Sequence, residues 1–371
     1  MKKSLLIFFF LCLFSTLSFG EEKIIPEQRQ VLDSTRNKFL RDKNTIILPI
    51  VFRFPETRFG GGIAGTTTFS FSRDSVGAKP SQATFGVTYT QNKQVLVFFP
   101  FKAFYRNNDF YINADIGWYK YNYFFYGIGE NRVPQETFDV TFPRIKILAA
   151  KQVGDRNYVG LRMLYEHYNV TGVEDGGLLA SGEVSGGDFS RTSSFGVSVL
   201  RDTRDNVFYP RKGIFGEAYI LRNAKIFGAD RNFTRLHTDI ANYQSITKKL
   251  VFASNLVGNF LIGDDIPFSQ LSVIGGSEEM RGLYQGYFRD KNTLIGQAEA
   301  RCEVWGRFGV VGFGAVGWMG NEEQLLRFNL PKFTYGAGLR VATKKHLNLR
   351  IDYGFSPYEK GTFYATIGEA F

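Results

Sequence analysis

From Thr45 to the last residue, apolar and polar side chains alternate with a period of two, in one segment after another. LNLRIDYGF puts Leu347, Leu349, Ile351, Tyr353 and Phe355 on one face and Asn348, Arg350, Asp352 and Gly354 on the other. FTYGAGLRV sets Phe333, Tyr335, Ala337, Leu339 and Val341 against Thr334, Gly336, Gly338 and Arg340. FYINADIGW, starting at Phe110, repeats the pattern. Successive side chains of a strand point to opposite faces, so this period specifies strands with one apolar face. About sixteen such segments can be marked between residues 46 and 371.

What the apolar face meets is decided by composition and by the connections. Phe (38) and Tyr (19) are abundant, yet mean hydropathy is only -0.16. Helical membrane proteins carry several apolar runs of roughly 20 residues, whereas strands with one side toward lipid and one toward water dilute their apolar content. A soluble sandwich would alternate too, but its apolar faces meet a second sheet. In a bacterial barrel with both ends in the periplasm, turns on one side are short and loops on the other long. The connections at 106–109, 153–157, 247–249, 306–307 and 343–346 are short, and those at 123–135, 172–188, 264–291 and 321–332 are long. Exceptions are the brief 91–93 and the longer 202–213. Aromatics crowd strand ends, as in WYKYNYFFYG (118–127), where an interfacial girdle is expected. The fold class is therefore all-β, a transmembrane antiparallel β-barrel of about sixteen strands.

Lys2 and Lys3 precede the apolar run Leu5 to Phe14, and Ser18, Phe19 and Gly20 follow. That run is too short to span a bilayer and has the layout of a cleaved secretory signal. Three regions are expected: a signal peptide at 1–20, a short polar periplasmic tail at 21–44 and the barrel at 45–371. Cys12 leaves with the signal, which strands Cys302 and excludes an intramolecular disulfide or a cysteine metal site. His167, His237 and His346 show no ligand spacing, and no metal or other cofactor is expected. Net charge is +10, and +8 without the two signal lysines. The basic residues are scattered, so anionic lipid of the outer membrane, not nucleic acid, is the expected counter-charge.

Gly60, Gly62 and Gly65 spell GxGxxG, but between strand segments and without the helix that a dinucleotide site needs. Asp202 and Asp205 lie in LRDTRDNVFYPRKG, where Asn206, Pro210 and Gly213 signal a turn and not an acid–base pair. No catalytic constellation stands out, and an enzyme is not expected.

Several of these stretches carry a resemblance. Asp202, Arg204, Asp205 and Asn206, followed by Pro210 and Gly213, resemble the D-x-R-D-N…P…G segment of the BamA/TamA-type barrels, the bacterial surface antigen family. IGGSEEMRGLYQGYF (274–288) is similar to the sixth extracellular loop of that family, with Arg281 and Gly282 in the Arg-Gly-aromatic position and Leu283 where an aromatic is usual. GQAEAR (296–301) resembles the Glu-bearing strand at Glu299, and GLR (338–340), RIDYG (350–354) and GEAF (368–371) complete the closing pattern. Ala315 departs from the family by replacing an acid in Phe313-Gly314-Ala315-Val316-Gly317. The stretch before residue 45 is too short for the periplasmic POTRA repeats of assembly members.

The resemblance implies a barrel that assists insertion or translocation of protein or lipid at the bacterial outer membrane. The alternative is a passive or plugged pore that keeps the fold. Periplasmic chaperones or unfolded outer-membrane proteins are the implied partners beside lipid. It also implies a weak seam between first and last strands, where Pro49 removes a ladder donor and Gly368 weakens a strand expected to end at Phe371. The long 264–291 connection is expected to fold into the lumen. There Arg281 would meet the inward acids of strand 292–305, with Glu299 as main partner and Glu303 or Asp352 supplying the acid missing at Ala315.

Overall fold

A computed structural model of the chain describes residues 40–54, 57–71, 78–326, 328, 330–342 and 348–371. The expected signal peptide and most of the expected tail lie outside the described residues. Strand β1 (Leu40–Phe54) pairs with β2 (Arg58–Phe71), which pairs with β3 (Ser81–Thr90). β4 (Val95–Phe98) and β5 (Phe101–Tyr105) both lie between β3 and β6 (Phe110–Ile128). The meander continues through β7 (Asn131–Gln152), β8 (Asn157–Val173), β9 (Phe189–Asp202), β10 (Gly213–Asn223), β11 (Phe233–Ser245) and β12 (Leu250–Ile262). Inside the next connection, β13 (Ser272–Ile274) and β14 (Phe288–Asp290) form a separate small hairpin. β15 (Asn292–Trp305) then pairs with β12, followed in turn by β16 (Phe308–Gly320), β17 (Lys332–Ala342), β18 (Asn348–Phe355) and β19 (Thr362–Ile367). Every registered pairing is antiparallel, and the main sheet has 17 strands, of which β4 and β5 share one pass.

The split between β4 and β5 follows from Pro100, which has no N–H to give the ladder. Phe99 N–H still reaches Ile116 O (2.7 Å) and Pro100 O still accepts from Thr84 N–H (2.8 Å). β1 begins at Leu40, ahead of the expected start at 45, so residues 40–44, polar after Leu40, belong to a strand and not to the tail. Their ladder partners on β2 reach to Phe71, and backbone pairing does not require apolar side chains beyond the hydrocarbon layer.

The connection expected at 123–135 is also corrected. β6 runs on to Ile128 and β7 starts at Asn131, so the loop is only a tight turn on a projecting hairpin. The girdle expected in 118–127 is only half present, because alternation must send every second aromatic inward. Tyr119 stacks on Phe142, Tyr123 packs on Phe138 and Phe125 on Phe268, within a buried cluster that fills one end of the lumen. Trp118 faces outward.

Hydropathy is inverted relative to a soluble protein. On β18, Ile351 is 37% exposed while Asp352 beside it is 0% exposed. Leu349, Tyr353 and Phe355 share the outer face, and Asn348 and Arg350 the inner one. An outward charge at the bilayer midplane would cost roughly 2–4 kcal/mol, so the lumen is where the charges gather.

Candidate functional site

The 264–291 connection turns back into the lumen and is held there first by apolar packing. Ile274, Met280, Leu283 and Phe288 of the loop bury themselves against Val257, Ile295 and Met319 of β12, β15 and β16. Ala315 packs at the edge of this cluster, where an acid would be out of place. Met280 N–H then donates to Gln297 Oε1 (3.3 Å), and Gln297 Nε2 donates to Glu278 O (3.0 Å). On the other side Gly282 N–H donates to Tyr364 Oη (3.1 Å), which itself donates to Leu283 O (2.9 Å). Gly282 lies at φ +118, and a Cβ there would stand 2.6 Å from Phe355 O. Gly354 answers it, since a Cβ at that position would stand 2.5 Å from Gly282 N. Two glycines facing each other let the loop backbone lie directly on β18.

This close approach delivers Arg281 into the wall. Its guanidinium is 2% exposed, bonds Glu299 and Asp352 together, and lies 3.7 Å from the centre of the Phe313 ring. The arrangement does not stop at one cation. Glu299 also accepts from Arg301 Nε (2.7 Å), and Asp352 also accepts from Arg340. Arg340 Nε reaches Glu369 (2.8 Å), whose carboxylate lies 3.8 Å from Arg301. Arg281, Asp352, Arg340, Glu369, Arg301 and Glu299 therefore close an alternating ring of three cations and three carboxylates. It joins the loop, β15, β17, β18 and the segment after β19. Arg350 stands just outside, 3.7 Å from Asp352, and donates to Ser277 O of the loop (3.0 Å).

Of the sequence-derived site residues, the structure brings together Arg281, Gly282, Glu299 and Asp352. Glu303 is not among them and corrects the expectation. The β15–β16 register shifts between Glu303 and Trp305, and Glu303 swings to an exposed position on Arg211. Asp352 from β18 supplies the acid that Ala315 lacks.

The turn residues form a second, separate cluster. Asp202 holds Lys79 (2.7 Å) and Arg204 (2.9 Å), and Arg204 lies 4.5 Å from the Phe215 ring centre. Asp205 accepts from Arg211 N–H (2.9 Å) and Lys212 N–H (3.2 Å), and Asn206 from Phe208 N–H and Tyr209 N–H. Pro210 is buried within this turn and Gly213 ends it at φ +107. The motif is a self-bonded turn tied to the segment that precedes β3.

At the seam, Pro49 lies opposite Ile63 in the β1–β2 ladder with its side chain outward. The last strand ends at Ile367, and Gly368 adopts φ +95 beyond it, which corrects the expectation that the strand reaches Phe371. Residues 368–371 turn into the lumen instead: Glu369 joins the ring, and Phe371 packs near Tyr243 and Arg301. Sequence reasoning missed Arg301, Arg340 and Glu369 as site residues. The first two were visible on the inward faces of their strands, but no pattern in GEAF signalled a bend.

An antiparallel barrel with an inverted surface, plugged by a loop whose arginine is locked into its wall, defines an integral membrane barrel of the outer-membrane type. Residues 57–371 match the model of the Omp85 superfamily domain, and the chain belongs to that superfamily, an outer-membrane family whose members act on protein substrates there. Among solved structures it is similar to BamA from Haemophilus ducreyi lacking POTRA domains 1-3, at TM-score 0.54 and 12% identity over 91% of this chain and 77% of that one. It is also similar to CdiB from Escherichia coli (TM-score 0.55, 12% identity, 88% of this chain and 62% of that). CdiB from Acinetobacter baumannii gives TM-score 0.51 and 10% identity, over 88% and 59%. The chain thus spans about three-fifths of the length of either CdiB. No curated protein matches it.

Proposed function

We propose that this barrel assists insertion or translocation of protein at the outer membrane through an openable seam between β1 and β19. The observation that carries the reading is the mismatch of those two strands. β1 offers 15 residues, and β19 offers six before Gly368 turns the chain inward. A ladder can hold no more bonds than its shorter strand provides, so a junction of β1 with β19 is limited to six residues, as the β18–β19 pairing is, and costs less to part than the 13-residue β1–β2 pairing. The ring supports the same reading, because it holds Glu369, and with it the end of the last strand, against the loop.

Partners of the proposal are unfolded outer-membrane proteins and the chaperones that deliver them, with surrounding lipid on the outer face. No catalytic step is involved. Cysteine pairs scanned across 46–50 and 362–366 test it. Crosslinked protein should stay folded, shown by heat-shifted gel mobility, while proteomics shows the outer membrane losing its substrates as in a depletion strain. Undiminished outer-membrane composition with a fully crosslinked seam refutes the proposal. The filled lumen favours one alternative, a plugged pore with no assembly role. Depletion that leaves outer-membrane composition intact, with low single-channel conductance, supports that instead.

A further inference from the structure

The ring leaves another part of the lumen unused. A cavity of about 340 Å³ lies between the inner walls of β7, β8, β10 and β11 and the flank of the long loop. Arg144, Lys146, Arg162, Arg235 and Arg289 line it. Two of these are neutralised, Arg144 by Glu166 (2.7 Å) and Arg162 by Glu217. The second oxygen of Glu166 is occupied by Gln270 Nε2 (2.9 Å). Among the described residues, Lys146, Arg235 and Arg289 have no carboxylate within ion-pair distance. Asp115 faces Lys146 across the β6–β7 ladder without forming an ion pair.

Arg235 and Arg289 are held in place by groups other than acids. Arg235 donates to Gln270 O (2.5 Å) and Arg289 Nη1 to Phe268 O (2.8 Å). Arg289 is nine-tenths buried, yet its Nε has no acceptor among the described residues. Burying an unpaired cation such as Arg289 is expensive, and a fold that sets Lys146 and Arg235 beside it around one hollow has built a site for a counter-charge. Arginine forks match oxyanions in shape, and a positively lined hollow with low-dielectric walls concentrates anions.

We propose that this luminal cavity binds a multiply charged oxyanion of the phosphate class, either in free solution or as the headgroup of an anionic lipid. The inference is independent of the seam and of any assembly role. It is tested on the purified protein by titration calorimetry with inorganic pyrophosphate, in detergent at low salt. Saturable binding is expected, weakened about tenfold for each cation removed in Lys146→Gln and Lys146→Gln/Arg235→Gln. Lys146 faces open lumen, so Lys146→Gln keeps the fold. Lys225→Ala, on the exposed surface after β10, should bind as the parent does. Nanodiscs with and without phosphatidic acid separate the two sources. Phosphatidic acid retained by the parent but not by the double variant in native mass spectrometry assigns the headgroup, and pyrophosphate binding in detergent assigns the free anion. If the heat-shifting barrel binds neither probe, or if Lys225→Ala weakens binding as much as Lys146→Gln, the proposal is overturned.

Discussion

The two sides of the lumen handle charge in opposite ways. Beside β15–β18 the folded-in loop excludes water, and there each cation of the ring stands between two carboxylates. Beside β7–β11 a hollow remains, and there three cations form no ion pair among the described residues. The difference teaches that the loop, not the strands, sets the electrostatics of each wall. Where the loop packs tightly, an unpaired charge would pay full desolvation, so charges come in matched sets. Around the hollow, Lys146 and Arg235 face space that solvent can screen, while Arg289 of the loop stays buried with its Nε unsatisfied.

If that contrast is right, the largest effect should come from Arg281→Ala. It leaves Glu299 and Asp352 buried and short of a partner, at a cost of roughly 3–5 kcal/mol. A fall in the temperature at which the barrel loses heat-shifted mobility measures it. In a double-mutant cycle, Arg281→Ala with Glu299→Ala should fall short of the sum of the single losses by about 1 kcal/mol or more. Strict additivity would mean the ring is not a unit.

Next in size is Gly282→Ala, with no charge altered. At φ +118, facing the Phe355 carbonyl, alanine should cost about 1–3 kcal/mol and lift the loop tip from β18. Protease cleavage at Arg281 should then appear in the intact barrel. Glu369→Gln should cost no more than that, about 1–3 kcal/mol as for a buried partner left unsatisfied. It should also expose the 368–371 segment, measured by labelling of a cysteine at Ala370, without freeing Arg281.

Glu279 provides a pH probe of the loop itself. Burial, with Glu278 and Asp239 adding to it, pushes its carboxyl from 4.5 up to about 7. The folded loop therefore favours the protonated form. The contribution is fully present below pH 4.5 and is lost as pH rises through about 7. The urea midpoint should drop over that window, and Glu279→Gln should flatten the drop. The smallest effect is expected from Lys146→Ala on the hollow side, within about 0.5 kcal/mol of the parent. A loss there as large as that of Arg281→Ala would abolish the contrast.

Period-two alternation determined the strands by itself, because side-chain direction along a strand is a local property, and composition with the lengths of the connections made those strands a barrel. Arg340, Arg350 and Asp352 were readable as inward on that ground alone, as were Glu299 and Arg301. The identity of the loop was readable too, since Arg281 and Gly282 sit in a recognisable stretch. What alternation cannot state is which inward residues of different strands stand level with one another. That depends on register, and register placed Asp352 on Arg281 while a shift at Glu303 moved that acid away to Arg211. Strand ends were equally hidden: Ile128, Asn131 and Leu40 extend strands where polarity or aromatics suggested loop or tail, since backbone pairing is indifferent to side-chain character. The inward turn at Gly368 was decided by tertiary structure in the same way. Glu369 leaves the last strand because two arginines from β15 and β17 converge inside the lumen, and that convergence exists only once the sheet has curled around them.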